Sequence, residues 1–347
     1  MIVIHYITLF SIVNLFLFLS LKYKKVINND FFIYITVLSL VCFSGFRSFV
    51  GVDYESYLVN IENIVNGGYS TFEFGSRVII NVLSYFGVEK YGYFLFFSIF
   101  TIFLTYKAIN FFSQRVEFSL YIYSFFGIFY LASFNSVRQS LSVAIFVFSL
   151  RYILSGKWYL YILYISLATM FHMSAVFCYP LYFIYKIKFN RFYFFVGGIV
   201  SVGILVLLIP ILLEMFFSIN YLDVENSTSS RMLILIFMIT STLLVFFTKE
   251  GSPEYEIMRK VLYCSIPIYM LAIMLPNMST ILIRVNAYFV FPIVIMLPVI
   301  TSKFFIRLDK LLVNFSIYIV IASYFFASLY FKGEAAKLIP FHFIFEN

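Results

Sequence analysis

Long apolar runs alternate with short polar connections along the whole chain, and this alternation is the strongest pattern in the sequence. A membrane-spanning helix needs about 20 mostly apolar residues, and runs of this order recur from one end of the chain to the other. The apolar residues within a run are continuous, whereas strands of a membrane barrel alternate apolar and polar positions. The pattern therefore predicts an all-α polytopic membrane protein with about 12 transmembrane helices, within a range of roughly 10–13. The predicted spans cover residues 2–21, 31–46, 91–106, 118–134, 136–154, 158–171, 173–185, 192–213, 231–248, 260–276, 283–301 and 311–331.

The apolar run at residues 158–185 is too long for one span and short for two. It predicts two tilted or re-entrant helices that are broken near His172. The whole chain, residues 1–347, is expected to form one transmembrane domain. Two polar connections of some size are expected outside the cytoplasm, at residues 47–90 and 214–230, and the first of them is expected to cap the functional site.

Composition and charge agree with a membrane protein. Hydrophobic residues make up 63% of the chain and charged residues 12%, whereas soluble domains carry about 25% charged residues. The net charge of +8 comes from Lys and Arg scattered in short connections, which argues against a nucleic-acid partner. Sixteen of the 24 Lys and Arg fall on alternate connections, beginning with the first. Because such residues are biased toward the cytoplasm, both termini are predicted to lie outside.

A set of polar residues interrupts the apolar sequence, and all of its members fall at the predicted outer ends of spans. They are Arg47, Asn135, Arg138, Gln139, His172, Asn277 and Arg284. Basic residues at the outer boundary run against the usual bias, and a charge inside a membrane protein is by default a functional hypothesis. Several arginines with a histidine suit a substrate that carries a phosphate-rich head on a lipid tail, because the guanidinium fork matches phosphate.

Arg138 lies within one of the most apolar stretches, and the local sequence suggests how its charge is tolerated. Asn135 is predicted to cap the following helix, which places Arg138 and Gln139 in the first turn. Free N–H groups and the positive end of the helix dipole favour an anion at such a position, and a bound phosphate there would offset the charge of Arg138. Arg284 follows the same logic, with either Ser279 or Thr280 as the predicted cap.

Arg47, His172 and two carboxylates complete the candidates, and each has a structural interpretation beside the functional one. Arg47 ends a span, where a cation also suits the helix dipole and can snorkel to the interface. His172 is a candidate base, a phosphate ligand or a hydrogen-bonded turn residue. Asp53 is a candidate base or the partner of an arginine, and Glu73 is a weaker candidate of the same kind.

Sequence motifs for several common activities are absent. The chain has no P-loop, GxGxxG, HExxH, GxSxG or CxxC motif, which argues against cytosolic nucleotide hydrolysis, zinc proteolysis and ordinary serine hydrolysis. A metal would need several converging carboxylates, and Asp53 with Glu55 gives only a weak hint. The sequence therefore predicts a site with no metal and no cofactor.

Four stretches resemble, in order and rough spacing, the EpsG family of polysaccharide polymerases, which are Wzy-type proteins of bacterial O-antigen, capsule and exopolysaccharide loci. They are GFRSFVGVDYESY, FNSVRQSLSVAIFVFSLRYI, LATMFHMSAVFCYPLYFI and RVNAYFVFPIVIMLP. The resemblance covers roughly residues 40–300, and its characteristic part is the N-x-x-R-Q run together with the His-x-Ser-Ala run. Position 142 is Ser where the family commonly has Ala, and residues 191–260 match no motif.

The resemblance implies a fold like that of the lipid-sugar-dependent C-superfamily membrane glycosyltransferases. It also implies a multi-pass enzyme of the bacterial inner membrane whose active site faces the periplasm or exterior. Such an enzyme uses undecaprenyl-diphosphate-linked oligosaccharides as both donor and acceptor, and the growing chain leaves its lipid diphosphate to join the next lipid-linked repeat unit. Membrane lipids and a chain-length regulator protein are the other expected partners.

The resemblance also singles out particular residues, and the chemistry of the reaction gives them roles. The matched positions are Arg47, Gly51, Asp53, Tyr57, Asn135, Arg138, Gln139, His172 and Arg284. The three arginines are expected to bind the diphosphate and stabilise its developing charge, and Gln139 and Asn135 are expected to assist them.

The same reaction needs a base for the acceptor hydroxyl. His172 is preferred for this role, with Asp53 orienting it, and Asp53 itself is the alternative base. Tyr57 and Glu73 are expected to contact the substrate.

Three other functions share some of these features and stay open at the level of sequence. A ligase that transfers finished polymer to the lipid A core would use the same residues with another acceptor. A membrane O-acyltransferase could use His172 with an arginine, but no motif indicates a site for an acyl carrier or acyl-coenzyme A. A flippase for lipid-linked oligosaccharides would also bind diphosphate, yet transporters usually place their site near the midplane between related halves.

Overall fold

The computed structural model describes residues 3–23, 30–188, 190, 192–193, 196–198, 200, 203, 228–247, 251–275, 278–303 and 307–346. Most of these residues are helical, as the continuous apolar runs predict. Numbered along this part of the chain, the helices are α1 (Ile4–Tyr23), α2 (Asp30–Gly45), α3 (Tyr54–Val65), α4 (Phe74–Tyr85), α5 (Glu89–Phe112), α6 (Val116–Phe125), α7 (Val137–Leu154), α8 (Trp158–Phe171), α9 (Leu181–Lys186), α10 (Thr228–Phe247), α11 (Pro253–Met274), α12 (Ser279–Val290), α13 (Ile293–Lys303) and α14 (Arg307–Lys332). The described residues also contain two short strands, β1 (Arg47–Ser48) and β2 (His342–Phe343).

Five helices of the described chain are long and apolar enough to cross a membrane: α1, α5, α7, α11 and the segment Leu312–Lys332 of α14. The pair α12 and α13 passes the same test together, with a bend of 48° at its break, and would make a sixth span. Three shorter apolar helices are α2, α8 and the segment Ile234–Phe246 of α10. The chain is therefore an all-α membrane protein, while twelve spans and a relation to the C-superfamily stay predictions.

Three of the predicted spans do not form continuous helices: residues 118–134, 173–185 and 283–301. Within residues 118–134, α6 ends at Phe125, and the chain then turns and closes with a 3-10 turn at Leu131–Phe134. Hydropathy does not distinguish a helix from a buried turn, because the side chains of an irregular segment inside a membrane protein are as apolar as those of a helix. Residues 283–301 are broken before α13 at Pro292, a residue that cannot continue the preceding helix.

The chain also breaks near His172, as the length of its apolar run predicts. Helix α8 ends at Phe171, His172 is extended, and a 3-10 turn at Met173–Cys178 leads to the short helix α9. Residues 173–185 therefore form no continuous helix. Most of the predicted span 192–213, and residues 214–227 of the second polar connection, lie outside the described residues.

The polar segment at residues 47–90 folds into two helices rather than an extended connection. Helix α3 packs on α5, and α4 packs on both α5 and α8. Each of the two helices buries one face, which includes Tyr57 and Ile61 on α3 and Ile80 on α4. The segment is thus anchored against the bundle, and its role as a cap over the site stays a prediction.

Both described ends of the chain meet at the end of the bundle that carries β1. Strand β2 pairs antiparallel with β1, with Arg47 opposite Phe343. Near the start of α1, Nε2 of His5 lies 3.1 Å from Oε1 of Glu346. The alternation of basic connections predicts that both termini lie at one end of the bundle. The position of this end outside the cytoplasm stays a prediction.

Helix α7 is central to this end of the molecule. It packs against α8 and α5 along its length. It also runs parallel to α12, because Gln139 bonds to the backbone of Arg284 and, further along both helices, Ser142 bonds to Tyr288. The first turns of α7 and α12 therefore lie at the same end of the bundle.

Candidate active site

Three of the predicted site residues form one ion-paired cluster: Glu73, Arg138 and His172. Oε2 of Glu73 accepts a hydrogen bond from Nη1 of Arg138, and Oε1 of Glu73 lies 3.0 Å from Nδ1 of His172. Each of the three side chains is only about one-fifth exposed, at 19%, 19% and 21% for Glu73, Arg138 and His172. A single carboxylate therefore bridges a guanidinium and an imidazole that come from three separate elements.

Each member of the cluster stands at one end of a helix. Glu73 is the extended residue before α4, His172 directly follows α8, and Arg138 lies in the first turn of α7. Gly75 allows α4 to approach α8, because a Cβ at this position would lie 2.8 Å from the carbonyl oxygen of Met170. The absence of a side chain at Gly75 thus sets the separation between Glu73 and His172.

The surroundings favour the ionised form of Glu73. Burial opposes the charge, but the hydrogen bond with His172 and the charge of Arg138 outweigh it and hold the pKa of Glu73 below its usual value. The Cζ of Arg138 lies 4.2 Å from the ring centroid of Phe72, which adds a cation–π contact. Nε of Arg138 is buried without a hydrogen-bond partner among the described residues, so the guanidinium keeps an unused donor.

The predicted cap of α7 is wrong. Asn135 does not bond to the helix, and its Oδ1 instead accepts from the backbone N–H of Val52 at 2.7 Å. The N–H of Val137, at the start of α7, donates to the hydroxyl of Tyr57 at 3.2 Å, and this hydroxyl donates to the carbonyl of Asn135 at 2.9 Å. A side chain 80 residues earlier in the sequence therefore satisfies the helix terminus that a local rule assigned to Asn135.

Asp53 belongs to the turn before α3. Gly51 has a φ of +107°, and a Cβ there would lie 2.8 Å from Oδ1 of Asn135, so glycine is needed on both counts. Asp53 follows at the start of α3 with an exposed side chain. The carboxylate that contacts His172 is Glu73, and the predicted orienting role of Asp53 is therefore corrected.

Arg47 is the largest of the fully buried side chains in the described chain, with an exposure of 1%. Its guanidinium donates to the backbone carbonyls of Ser44, Val50 and Phe134. It also lies between the rings of Phe94 and Phe134, with Cζ 4.8 Å from each centroid. Carbonyls and aromatic faces occupy the positions that a diphosphate would need, so the geometry favours a structural role over the predicted binding role.

A cavity of about 550 Å³ opens at the same end of the bundle. Four of the predicted site residues line it: Asp53, Asn135, Gln139 and Arg284. The members of the ion-paired cluster are not part of its lining. The predicted site residues therefore divide into two groups, and the adjacent positions of Arg138 and Gln139 on α7 place the two groups next to each other.

Arg284 is the exposed cation of the cavity. It forms no ion pair with any described residue, and its backbone carbonyl accepts a hydrogen bond from Nε2 of Gln139. The predicted cap by Ser279 or Thr280 is wrong, because Met278 occupies the capping position of α12 and makes no side-chain bond to the helix. Asn277 lies outside the described residues.

Comparison with known proteins bears directly on this arrangement. Residues 30–343 match the EpsG family, which covers most of the chain. The chain belongs to the EpsG family. No curated protein and no solved structure matches it. EpsG is a family of Wzy-like polymerases, so the protein is a multi-pass membrane protein that resembles polysaccharide polymerases and is glycosyltransferase-like. The resemblance of the four sequence stretches is thereby confirmed.

This EpsG-family protein contains a hydrogen-bonded chain that the sequence analysis did not single out. The hydroxyl of Ser174 donates to that of Tyr288 at 3.3 Å, and Tyr288 donates to Ser142 at 2.9 Å. Ser142 in turn donates to the carbonyl of Ala168 at 2.9 Å. The turn that follows His172 is thus tied to α12, α7 and α8 at once. The contacts are long-range, so no local pattern could have revealed them.

Asn286 is a second residue that sequence reasoning missed. It borders the cavity with an exposure of 1%, and neither Nδ2 nor Oδ1 has a hydrogen-bond partner among the described residues. It is an isolated polar residue in an apolar run, so the rule that singled out Arg284 would have found it too. Among the described residues, no group of three or more His, Cys, Asp or Glu is placed to hold a metal ion.

Proposed function

We propose that this EpsG-family protein polymerises undecaprenyl-diphosphate-linked oligosaccharide repeat units by glycosyl transfer, at the outer face of the bacterial inner membrane. The observation that carries the proposal is the Glu73 carboxylate held between His172 and Arg138, at the end of the bundle where Arg284 lines a cavity. A fixed base and a separate cation at one end of the bundle suit the displacement of a sugar from a diphosphate.

His172 is the proposed base. An ionised carboxylate only accepts hydrogen bonds, so Glu73 holds the imidazole with its proton on Nδ1 and leaves Nε2 free to accept a proton. Nε2 removes the proton of the acceptor hydroxyl, and Glu73 stabilises the imidazolium that forms. The hydroxyl oxygen then bonds to C1 of the donor sugar, while the bond from C1 to the diphosphate oxygen breaks.

The leaving diphosphate carries away the electron pair of the broken bond and needs positive charge near it. Arg284 is available for this purpose because it has no ion pair among the described residues. Arg138 holds Glu73 in place through their ion pair and adds its positive charge next to the cavity. Cations that are positioned before the reaction stabilise developing charge without having to reorganise.

The direct test is incubation of the purified protein with one lipid-diphosphate-linked repeat unit, followed by electrophoresis of the products. We expect a ladder of polymer from the wild type and a decrease of about 100-fold for His172→Ala, because general base catalysis is lost. The matched control is His342→Ala, at a histidine on β2 that is 48% exposed and outside the cluster. A full ladder from His172→Ala would contradict the proposed base.

A further inference from the structure

The cavity changes from polar to apolar along α7. The lining residues of this helix share one face, at Ser136, Gln139, Ser140, Val143 and Ala144. The three polar residues come first, at the helix start, and the two apolar residues follow one turn further along. The part of the cavity wall that α7 forms therefore becomes less polar with distance from the start of the helix.

Helix α12 shows a related change of polarity. After Ile283, its lining residues are the polar pair Arg284 and Asn286 and then the apolar Ala287 and Val290. Because α7 and α12 run parallel, their polar turns lie at one level of the cavity and their apolar turns lie at another. Asp53 adds a carboxylate to the wall.

The remaining walls are mainly aliphatic and aromatic. They come from α10, α11 and the turns after α6, and include Ile128, Phe129, Ile234, Phe237 and Tyr269. The hydroxyls of two threonines on α5 are exceptions, at positions 101 and 105. With a volume of about 550 Å³, the cavity lies within the range of typical small-molecule sites.

We propose that this cavity binds the carrier lipid of the substrate, with the phosphate groups on Arg284 and the first units of the polyprenyl chain along the apolar turns of α7 and α12. The inference rests on the proposed function and adds the location and chemical class of the ligand portion that enters the cavity. An anionic head with one apolar chain matches both ends of the cavity. A free sugar phosphate would leave the apolar walls without a partner, and a phospholipid would bring two chains to one cavity.

Two further features favour an anion at the polar end. The starts of α7 and α12 both lie there, and the positive ends of their dipoles add to the charge of Arg284. Asn286 lines the cavity at the same level, and its buried amide has no hydrogen-bond partner among the described residues. Its Nδ2 would donate to a phosphate oxygen, which relieves the cost of a buried amide that has no partner.

Filling the apolar part of the cavity tests the inference. Ala287→Phe places a ring where the chain is expected to lie, and Ala287→Leu is a milder version in case the larger side chain prevents folding. The matched control is Ala327→Phe, the same substitution at an exposed position of α14. Arg284→Gln removes the charge at the polar end and keeps the apolar walls.

Binding to the purified full-length protein in detergent is measured by native mass spectrometry. The probes are undecaprenyl diphosphate, inorganic diphosphate and dioleoyl phosphatidic acid. We expect undecaprenyl diphosphate to bind more tightly than the other two probes, both to the wild type and to Ala327→Phe. Each variant at position 287 is expected to weaken that binding by about tenfold or more without changing the response to inorganic diphosphate, and Arg284→Gln is expected to weaken both.

Two outcomes would overturn the inference: unchanged binding of undecaprenyl diphosphate in folded Ala287→Phe or Ala287→Leu protein, or phosphatidic acid binding as tightly as undecaprenyl diphosphate. The ladder assay separates this failure from failure of the proposed function. If the wild-type protein makes a ladder but the cavity variants bind the lipid normally, the polymerase proposal stands and the cavity site is rejected. If the wild-type protein binds the lipid through the cavity but makes no ladder, the cavity site stands and the polymerase proposal is rejected.

Discussion

Glu73 contacts both Arg138 and His172, so removal of its charge disturbs the base and the guanidinium together. Glu73→Gln keeps the shape of the side chain but no longer presents an ionised carboxylate to the imidazole. We expect polymer formation in the ladder assay to fall by about 100-fold, with the amount of protein in the membrane unchanged. Glu62→Gln, at an exposed residue of α3, is the matched control. Normal polymer from Glu73→Gln would remove this carboxylate from the mechanism.

The lowered pKa of Glu73 predicts how the cluster responds to pH. A carboxyl group whose pKa is lower in the folded protein stabilises the fold above its unfolded pKa, and this contribution is lost as the pH falls through the folded pKa. The usual value for Glu is 4.5. The difference in thermal stability between wild type and Glu73→Gln is therefore expected to be constant between about pH 6 and 8 and to shrink only in acid. A difference that already shrinks within that range would show that another group controls the cluster.

Arg47 is predicted to act in folding rather than in substrate binding. Lysine keeps the charge but lacks the planar fork that reaches the carbonyls of Ser44, Val50 and Phe134. We expect Arg47→Lys to lower the free energy of unfolding by about 2 kcal/mol, because at least one buried carbonyl loses its donor. Thermal unfolding in detergent measures this, with the exposed Arg77→Lys as control. An Arg47→Lys protein of normal stability but weakened diphosphate binding would restore the role that the sequence suggested.

At the scale of elements, the packing of α4 on α8 sets the geometry of the ion-paired cluster. A Cβ on Gly75 would meet the carbonyl oxygen of Met170 at 2.8 Å, so Gly75→Ala must push the two helices apart. This movement separates Glu73 from His172, and a displacement of about 1 Å at a catalytic group can cost about 100-fold in rate. We expect a loss of that order in the ladder assay, with the protein still folded and inserted. Gly251→Ala, where no atom lies within 4 Å of the added Cβ, is the control.

The elements also show where sequence reasoning succeeds and where it stops. Length and continuity of apolar runs locate most helices, but they missed the break between α12 and α13 at Pro292. Pro267 and Pro298 lie inside helices, so a proline by itself does not locate a break. The buried turns after α6 are invisible to hydropathy, because their side chains are as apolar as those of a helix. The cap of α7 was assigned to Asn135 by a local rule, whereas the bond comes from Tyr57, which is distant in sequence.

At the scale of the whole molecule, the sequence predicts a multi-pass membrane protein with its unusual polar residues at one end. The structure brings Glu73, Arg138 and His172 together at one end of the bundle, where Arg284 lines the cavity. The sequence could not predict which carboxylate meets the histidine, because Glu73 and His172 are 99 residues apart. It also could not predict the cavity, because helices from both halves of the chain form its walls.

Orientation in the membrane is the property on which the proposed function depends most. The ion-paired cluster and both described ends of the chain share one end of the bundle, so one measurement fixes the side for all of them. Tyr69, between α3 and α4, is 85% exposed at this end. Lys157, in the turn between α7 and α8, lies at the opposite end, where most of the basic connections are predicted.

Cysteine accessibility in intact cells tests this orientation. In a background without the native cysteines, Tyr69→Cys is expected to react with a membrane-impermeant maleimide in intact cells, and Lys157→Cys only after permeabilisation. The reason is the excess of Lys and Arg on the Lys157 side, which keeps that side in the cytoplasm. Reversed labelling would place His172 and the cavity in the cytoplasm. Lipid-linked units on the outer face would then never reach the base, and the proposed polymerase would have to be abandoned even if the cluster were essential.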